Sequence, residues 1–496
     1  MKQGLFLCSS AIAIIAVMGE TSAKNVAHKR NEAEKARRDA KDRENQKEER
    51  HEKSVKQEDS AKKPQLIISG SATVHGNLGD PDQTYYEGNP DGYEKTDKDT
   101  SMPRIVAGEA NVDIKAVGKL DNGVEYRADF GVDMMKDDTE VDKMYLSFSK
   151  DGWGTLHLGN VKGPASKCVY SGQQLLGGAC GLDGTVPHEF DFATGVISPI
   201  NNVGYSSKAT KIAYYSPRVF GFQIAGSIAA DTKHHGHNDK NRRTGNSGNG
   251  NDNGMFIRNS KSDQRPSGRN NIELALTHTH EFQNGITTKL SGVYIFEDTK
   301  AVKAKSYAVK TTTAGTPDTW DYNTENTRKI KLRNTRSYYL SATVEYQKWA
   351  FGIGYLNNGK SRTPKEDVDE TTTSGATTTT KYIGNFLGTK NSNAGRAWNV
   401  GARYKLDDKW TFSGVFHHMK RKVDTGAHTK GNALTLAVDY KICDGLMVFA
   451  EFDHIWMKSC KEACERYNMI FKDKSDKNAV MKQRCNLIAI GAKVSF

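Results

Sequence analysis

The chain has 496 residues, a formal charge of +12 and a hydrophobic content of only 36%. Its mean hydropathy of −0.69 excludes a bundle of transmembrane helices. The basic residues are spread along the chain with no matching recognition motif, so nucleic acid is not an expected partner. The first segment is the one continuous apolar run. Lys2 precedes Leu5-Phe6-Leu7 and the stretch from Ala11 to Met18, and Thr21-Ser22-Ala23 follows. A short positive start, an apolar centre and a small-residue exit predict a signal peptide over 1–23, cut after Ala23. The run is short of the roughly 20 residues that a spanning helix needs. Cys8, directly behind Leu7, stands too early to be a lipoprotein acceptor. No later segment is apolar enough to cross a bilayer as a helix, so membrane insertion is expected only as a β-barrel.

Residues 24–64 are almost devoid of apolar side chains. The stretch from Asn31 to Arg50 mixes charges among good helix formers but has no stripe at helical or heptad spacing. It reads as a charged arm, a solvated helix or disordered linker. Contact with an anionic partner such as the cell wall is the alternative.

From Gln65 the character changes, and residues 65–496 are expected to form one barrel. Segments of about ten residues alternate apolar and polar, as transmembrane barrel strands do. In one of them Val124, Tyr126, Ala128, Phe130, Val132 and Met134 share a face, and Glu125, Arg127, Asp129, Gly131 and Asp133 share the other. Connections alternate between tight turns rich in Gly, Asn and Asp, such as 119–123, 151–154, 282–285 and 441–445, and longer polar loops. This rhythm predicts sixteen strands: 65–75, 104–118, 123–134, 141–149, 154–160, 210–216, 221–230, 271–281, 286–296, 336–346, 349–356, 396–404, 409–419, 432–440, 446–456 and 485–496. The expected fold class is therefore all-β, a 16-stranded antiparallel transmembrane barrel.

The lipid-facing set includes Ile212, Tyr214, Phe222, Ile224, Leu274, Leu276, Leu340, Val344, Phe412, Leu434, Leu436, Val438, Ile488, Ile490 and either Phe449 or Val448. Phe220, Phe282, Tyr346, Trp349, Tyr404, Trp410 and Tyr440 gather near the tight turns, where an interfacial aromatic girdle belongs. The last strand places Ile488, Ile490, Ala492, Val494 and Phe496 on the lipid face.

Signals of enzymatic chemistry are weak. Residues 354–361, Gly-Tyr-Leu-Asn-Asn-Gly-Lys-Ser, match a phosphate-loop pattern, but Arg362-Thr-Pro364 follows where a helix is required. His234-His235-Gly-His237 suits zinc or copper in principle, yet sits in a Gly/Asn-rich loop and reads as solvated surface. No catalytic set, cofactor or metal site is expected.

The run Asp142-Lys-Met-Tyr-Leu-Ser-Phe-Ser-Lys-Asp-Gly-Trp-Gly-Thr-Leu-His-Leu-Gly159 resembles the fourth strand, turn and fifth strand of Gram-negative general porins. Tyr214-Tyr-Ser-Pro-Arg-Val-Phe-Gly-Phe-Gln-Ile224 resembles the next hairpin, and Ile490-Gly-Ala-Lys-Val-Ser-Phe496 the terminal signal read by the barrel-assembly machinery. The resemblance implies a trimeric barrel in the bacterial outer membrane, among lipid and lipopolysaccharide, through which small hydrophilic solutes and ions diffuse. It also implies a third loop, here about 160–210, folded inward to narrow the pore. Acidic residues on that loop, here Asp183, Glu189 and Asp191, would face basic wall residues, here Lys115, Arg127, Lys143 and His157. The charged arm and the long loops at 231–270, 297–335 and 357–395 depart from the family pattern.

Six cysteines follow the signal peptide. Within the implied loop, Cys168 and Cys180 are expected to form a disulfide that stiffens it. Cys443, in a tight turn, is a membrane thickness from Cys460, Cys464 and Cys485, among which one pair is expected. An adhesin or surface-binding barrel, suited to the threonine runs near 311–313 and 371–380, and a substrate-specific channel are the alternative functions.

Overall fold

The computed structural model describes residues 64–87, 94–99, 102–134, 140–183, 204–231, 268–316, 319–321, 327–366, 370–383, 390–422, 428–459 and 480–496. The chain divides into two units, Met1–Pro64 and Gln65–Phe496, and the signal peptide and charged arm expected over 1–63 lie outside the described residues.

The second unit is a closed antiparallel barrel of sixteen strands. They are β1 (Gln65–Glu87), β2 (Met102–Lys119), β3 (Glu125–Asp133), β4 (Glu140–Lys150), β5 (Gly154–Asn160), β6 (Thr210–Tyr215), β7 (Phe222–Asp231) and β8 (Gly268–Glu281). The other eight are β9 (Ile286–Thr299), β10 (Thr335–Tyr346), β11 (Trp349–Asn357), β12 (Arg396–Lys405), β13 (Trp410–Lys422), β14 (His428–Cys443), β15 (Leu446–Ser459) and β16 (Val480–Ser495). Each pairs with its sequence neighbour, and β1 pairs with β16 from Ser71↔Ser495 to Tyr85↔Val480, which leaves no open barrel edge.

The two-residue period decides which side chains share a face. On β3, Tyr126 lies opposite Phe148 and Gly118 on the outer face, while Arg127 lies opposite Ser147 and Val117 on the inner one. Ile212, Phe222, Ile224, Leu274, Leu340, Leu436, Ile488 and Ile490 are exposed on the outside, as expected. The choice between Phe449 and Val448 resolves to Val448, because Phe449 is buried on the inner face with Glu451 and Asp453. Of the aromatic residues near the tight turns, Trp349 and Tyr404 have ring centroids 4.5 Å apart, and Trp410 and Tyr440 4.6 Å.

The barrel's seam ends on Phe496, whose backbone exchanges hydrogen bonds with Gly70 at 2.9 and 3.1 Å. A Cβ at Gly70 would lie 2.6 Å from the Phe496 ring, so only glycine admits the terminal aromatic there. At the tight-turn end, Gly445 has φ +82, a conformation that disfavours any side chain.

Strands run further into the long-loop end than their alternation suggests. β1 continues to Glu87 and pairs with Glu94–Asp99. The connections 300–334 and 358–395, expected as plain loops, join in a separate sheet of five short strands. In it Thr311–Thr313 pair with Thr377–Thr379, which pair in turn with Thr372–Ser374. Threonine favours strands, but with polar residues on both faces there is no alternation to read. The match to a phosphate loop resolves here too. After β11, Ser361 Oγ accepts from the Arg336 amide at 2.9 Å, and Arg362 is buried against Glu297 at 2.5 Å. The segment after β11 thus docks on β9 and β10 and forms no helix at 360–366.

Candidate functional site

The inner face carries the barrel's polar side chains, and one connection lies against it. Residues 161–183, leaving β5, run past the inner residues of β8 through β15. Glu273 on β8 accepts the Ala165 amide at 2.9 Å and, from the returning limb of the same loop, the Ser206 amide at 2.6 Å and its hydroxyl at 2.5 Å. Ser291 on β9 donates to the Cys168 carbonyl, and Ser341 on β10 accepts the Tyr170 amide at 2.8 Å. Gln173 lies 2.8 Å from His417 on β13, and Ser413 accepts the Gly177 amide at 2.9 Å. Asp439 on β14 accepts the Gly178 amide at 2.8 Å, and Glu451 on β15 accepts that of Gly181 at 3.1 Å.

The physical logic is uniform. An irregular segment has backbone amides with no ladder partner, and these need acceptors when buried. The wall supplies them as short hydroxyls and as carboxylates, whose charge-assisted bonds are the stronger kind. Glycines let the segment approach. Gly352 and Gly354 on β11 and Gly401 on β12 face Ser171 and Gly172, and a Cβ added at any of the three strand glycines would fall within 3 Å of them.

This course excludes the expected Cys168–Cys180 bridge. Cys168 is a free, buried thiol at β9, whereas Gly181, next to Cys180, is bonded at β15. Strands stand about 4.8 Å apart, so the intervening strands separate the two far beyond the roughly 7 Å that a disulfide tolerates. Burial pushes the Cys168 thiol up to about 11. Cys443 ends β14 at the tight-turn end, many residues of β16 away from Cys485, which lies opposite Ile455; Cys460 and Cys464 lie outside the described residues.

Across the barrel from β14, strands β2 to β6 bring the expected basic residues onto one stretch of inner wall. Lys143 pairs with Asp113 at 2.8 Å and with Asp129 at 3.4 Å. Arg127 donates to the Tyr145 hydroxyl at 2.8 Å, and that hydroxyl donates to Asp129 at 3.0 Å. Lys115 donates to Ser69 at 3.4 Å. His157 is buried edge-on between Tyr145 and Tyr215, at 5.2 and 5.4 Å, so it is a wedge between rings and not a lumenal charge.

Of the expected acids, Asp183 is exposed in the turn Gly181–Asp183 near β15; Glu189 and Asp191 lie outside the described residues. His234, His235 and His237 do so as well. Sequence reasoning missed Lys167, Tyr145 and Tyr215. The Lys167 ammonium stands 5.7 Å from the Tyr145 ring and 5.4 Å from that of Tyr215. Burial and then the Arg127 charge lower its pKa. It also missed the amide acceptors Glu273, Asp439 and Glu451, although an acid between Ile272 and Leu274 in an alternating strand is a visible sign of an inward role.

A model of the Gram-negative porin family matches residues 60–384. The chain belongs to the Gram-negative porins. A porin of this family is an outer-membrane channel for passive diffusion, and this chain is one. No curated protein matches it in sequence. Among solved structures the porin is similar to OmpT of Vibrio cholerae, at 13% identity and TM-score 0.46 over 88% of this chain and 100% of that one. It is also similar to the anion-selective porin from Comamonas acidovorans, at 10% identity and TM-score 0.44 over 87% and 100%. The outer-membrane channel DcaP of Acinetobacter baumannii aligns at 10% identity and TM-score 0.46 over 88% and 98%.

Proposed function

We propose that residues 161–209 form the constriction of this porin, and that the channel passes small hydrophilic solutes without catalysis. The observation that carries the reading is the set of backbone amides of that loop bonded to Glu273, Ser341, Ser413, Asp439 and Glu451 on the inner wall. A loop tied at so many points narrows the lumen rigidly, and charges along it and on the facing wall set a transverse field on permeants. Asp183, Glu189 and Asp191 belong to the acidic side of that field in this proposal, and Lys115, Arg127 and Lys143 to the basic side.

The proposed assembly is a homotrimer. Among the described side chains, the outer faces of β16, β1 and β2 carry Ala492, Ile490, Ala72, Val74, Ala110 and Ile114, and the exposed Trp and Tyr rings stand on other strands. An outer face of small and aliphatic side chains suits close contact with another copy. The proposed partners beyond that are outer-membrane lipid, lipopolysaccharide and the assembly machinery that reads Phe496. A surface-binding role is the second reading, favoured by the exposed threonine sheet at the long-loop end.

Planar-bilayer recording of the purified protein tests the main reading. Stepwise ohmic conductance is expected; folded protein that carries no current would overturn it. Native mass spectrometry in detergent is expected to give three copies, and a single copy would refute the trimer.

A further inference from the structure

The two connections that carry the threonine sheet, 300–334 and 358–395, are also joined at their stems. Arg333 donates its amide to the Thr363 carbonyl at 2.8 Å, Arg362 to that of Arg333 at 3.1 Å, and Lys365 to that of Lys331 at 3.0 Å. Leu332 lies opposite Pro364 in this joint. The Ser361 hydroxyl fastens it to β10, donating to the Arg336 carbonyl and accepting from the Arg336 amide, both at 2.9 Å. In the chain the joint stands between the barrel strands and the sheet.

Arg362 carries the joint into the barrel. It is 1% exposed, and its Nε and Nη2 both donate to Glu297 on the inner face of β9. The same carboxylate accepts from the Thr335 hydroxyl at 3.0 Å and from Asn271 Nδ2 on β8 at 3.4 Å. Asn271 Nδ2 also donates to the Gly204 carbonyl at 2.6 Å. Gly204 packs so closely on Thr335 that a Cβ there would fall 2.6 Å from Thr335 Cγ2. Gly204 begins the described part of the returning limb of loop 161–209, and Ser206 on that limb is bonded to Glu273. Glu297, Asn271 and Thr335, all fully buried, are thus what separates the stems from the loop.

A chain of this kind transmits position, because each buried member must keep a partner. Glu297 is tolerated as a buried charge through Arg362. If Arg362 leaves, the carboxylate draws more heavily on Asn271 and Thr335, the two groups on which Gly204 is seated. The docked stem also holds Arg362 at φ +55, a strained conformation for a residue other than glycine, and undocking relieves it. The docked and undocked arrangements are therefore closer in free energy than the ion pair alone would make them.

We infer that the paired stems are a latch through which the threonine sheet at the long-loop end controls the constriction. With Arg362 seated the returning limb is held; a load on the sheet that lifts the stems frees it. The inference rests on reading 161–209 as the constriction and adds its regulation. The stem joint is the element with two arrangements that such coupling requires.

The test uses the full protein in planar bilayers and in detergent. Leu332→Cys with Pro364→Cys puts two thiols directly opposite each other on an antiparallel bridge, where a disulfide can close. Oxidation is expected to slow transitions between conductance levels about tenfold, an ordinary size for coupling between sites, and dithiothreitol to restore them. Wild type given the same oxidant is expected not to change. Arg362→Gln is expected to act in the opposite sense, with more transitions and about tenfold faster amide hydrogen exchange over 204–209. Adding Glu297→Gln is expected to return part of that protection. Lys430→Gln, on the outer face of β14 opposite Lys420 and Lys458, is expected to leave both readouts unchanged. An oxidised pair, verified by mass, that fluctuates as its reduced form does would overturn the latch. So would unaltered exchange over 204–209 in Arg362→Gln protein of normal strand content by circular dichroism. Either result leaves the pore intact, whereas absence of any current would instead strike the pore reading.

Discussion

Gly172 of the third-loop turn and Gly401 of β12 meet backbone to backbone. A Cβ on Gly172 would fall 2.3 Å from the Gly401 nitrogen, and one on Gly401 would fall 2.5 Å from the Gly172 carbonyl oxygen. The contact determines how closely the loop lies on the wall.

Gly401→Val is therefore expected to lift the loop. Overpacking of this kind costs about 1–3 kcal/mol. Single-channel recording is expected to show altered and noisier conductance with strand content retained. Wild-type conductance and thermal stability in this variant would show that the contact is dispensable.

Glu273 is the acceptor at which the two ends of the loop converge. Glu273→Ala leaves the Ala165 and Ser206 amides without their acceptor, each at a cost of about 1–3 kcal/mol where no water replaces it. Earlier thermal unfolding and faster proteolysis within 161–209 are expected. Glu273→Gln keeps an acceptor oxygen and is expected to recover part of the loss; equal loss in both variants would mean that the charge, and not the acceptor, matters.

Cys168 is buried and free, with its thiol pushed up to about 11. At pH 8 its thiolate fraction is about a hundredfold below that of an ordinary cysteine, since a raised pKa leaves the thiol protonated until the pH approaches it. Maleimide labelling followed by peptide mass mapping is expected to miss Cys168 in the folded protein and to find it after unfolding. Recovery of a Cys168–Cys180 disulfide peptide would contradict the described course of the loop.

Arg362, at φ +55, donates to Glu297 from both Nε, at 3.0 Å, and Nη2. Breaking a buried pair by removing one member costs about 3–5 kcal/mol, because the other charge is left behind. Arg362→Ala is expected to lower the unfolding temperature and to expose 358–366 to protease. The double variant with Glu297→Gln is expected to be more stable than Arg362→Ala alone, and a further loss on adding Glu297→Gln would argue against charge burial as the cause.

The sixteen strands were legible because lipid on one side and water on the other impose a two-residue alternation, which Tyr126 to Val132 and Ile488 to Val494 carry plainly. The tight turns were legible too, since Gly123, Gly285 and Gly445 take positive φ. The inward parity of Lys115, Arg127 and Lys143 was visible, and so was that of the acids Asp113, Glu125 and Asp129 among them. What each inward residue does was not. Glu273, Asp439 and Glu451 differ from other polar strand residues only in the loop amides that reach them from more than a hundred, and in the last two cases more than two hundred, positions earlier. The same holds for Cys168 and Cys180, close along the chain but drawn apart by the strands they lie on, and for Thr311 and Thr379, which pair across two loops. Alternation is a local response to solvent and survives in a linear string. The loop's course and its charge partners come from closure of the barrel, which brings distant strands around one lumen, and only the tertiary structure decided them.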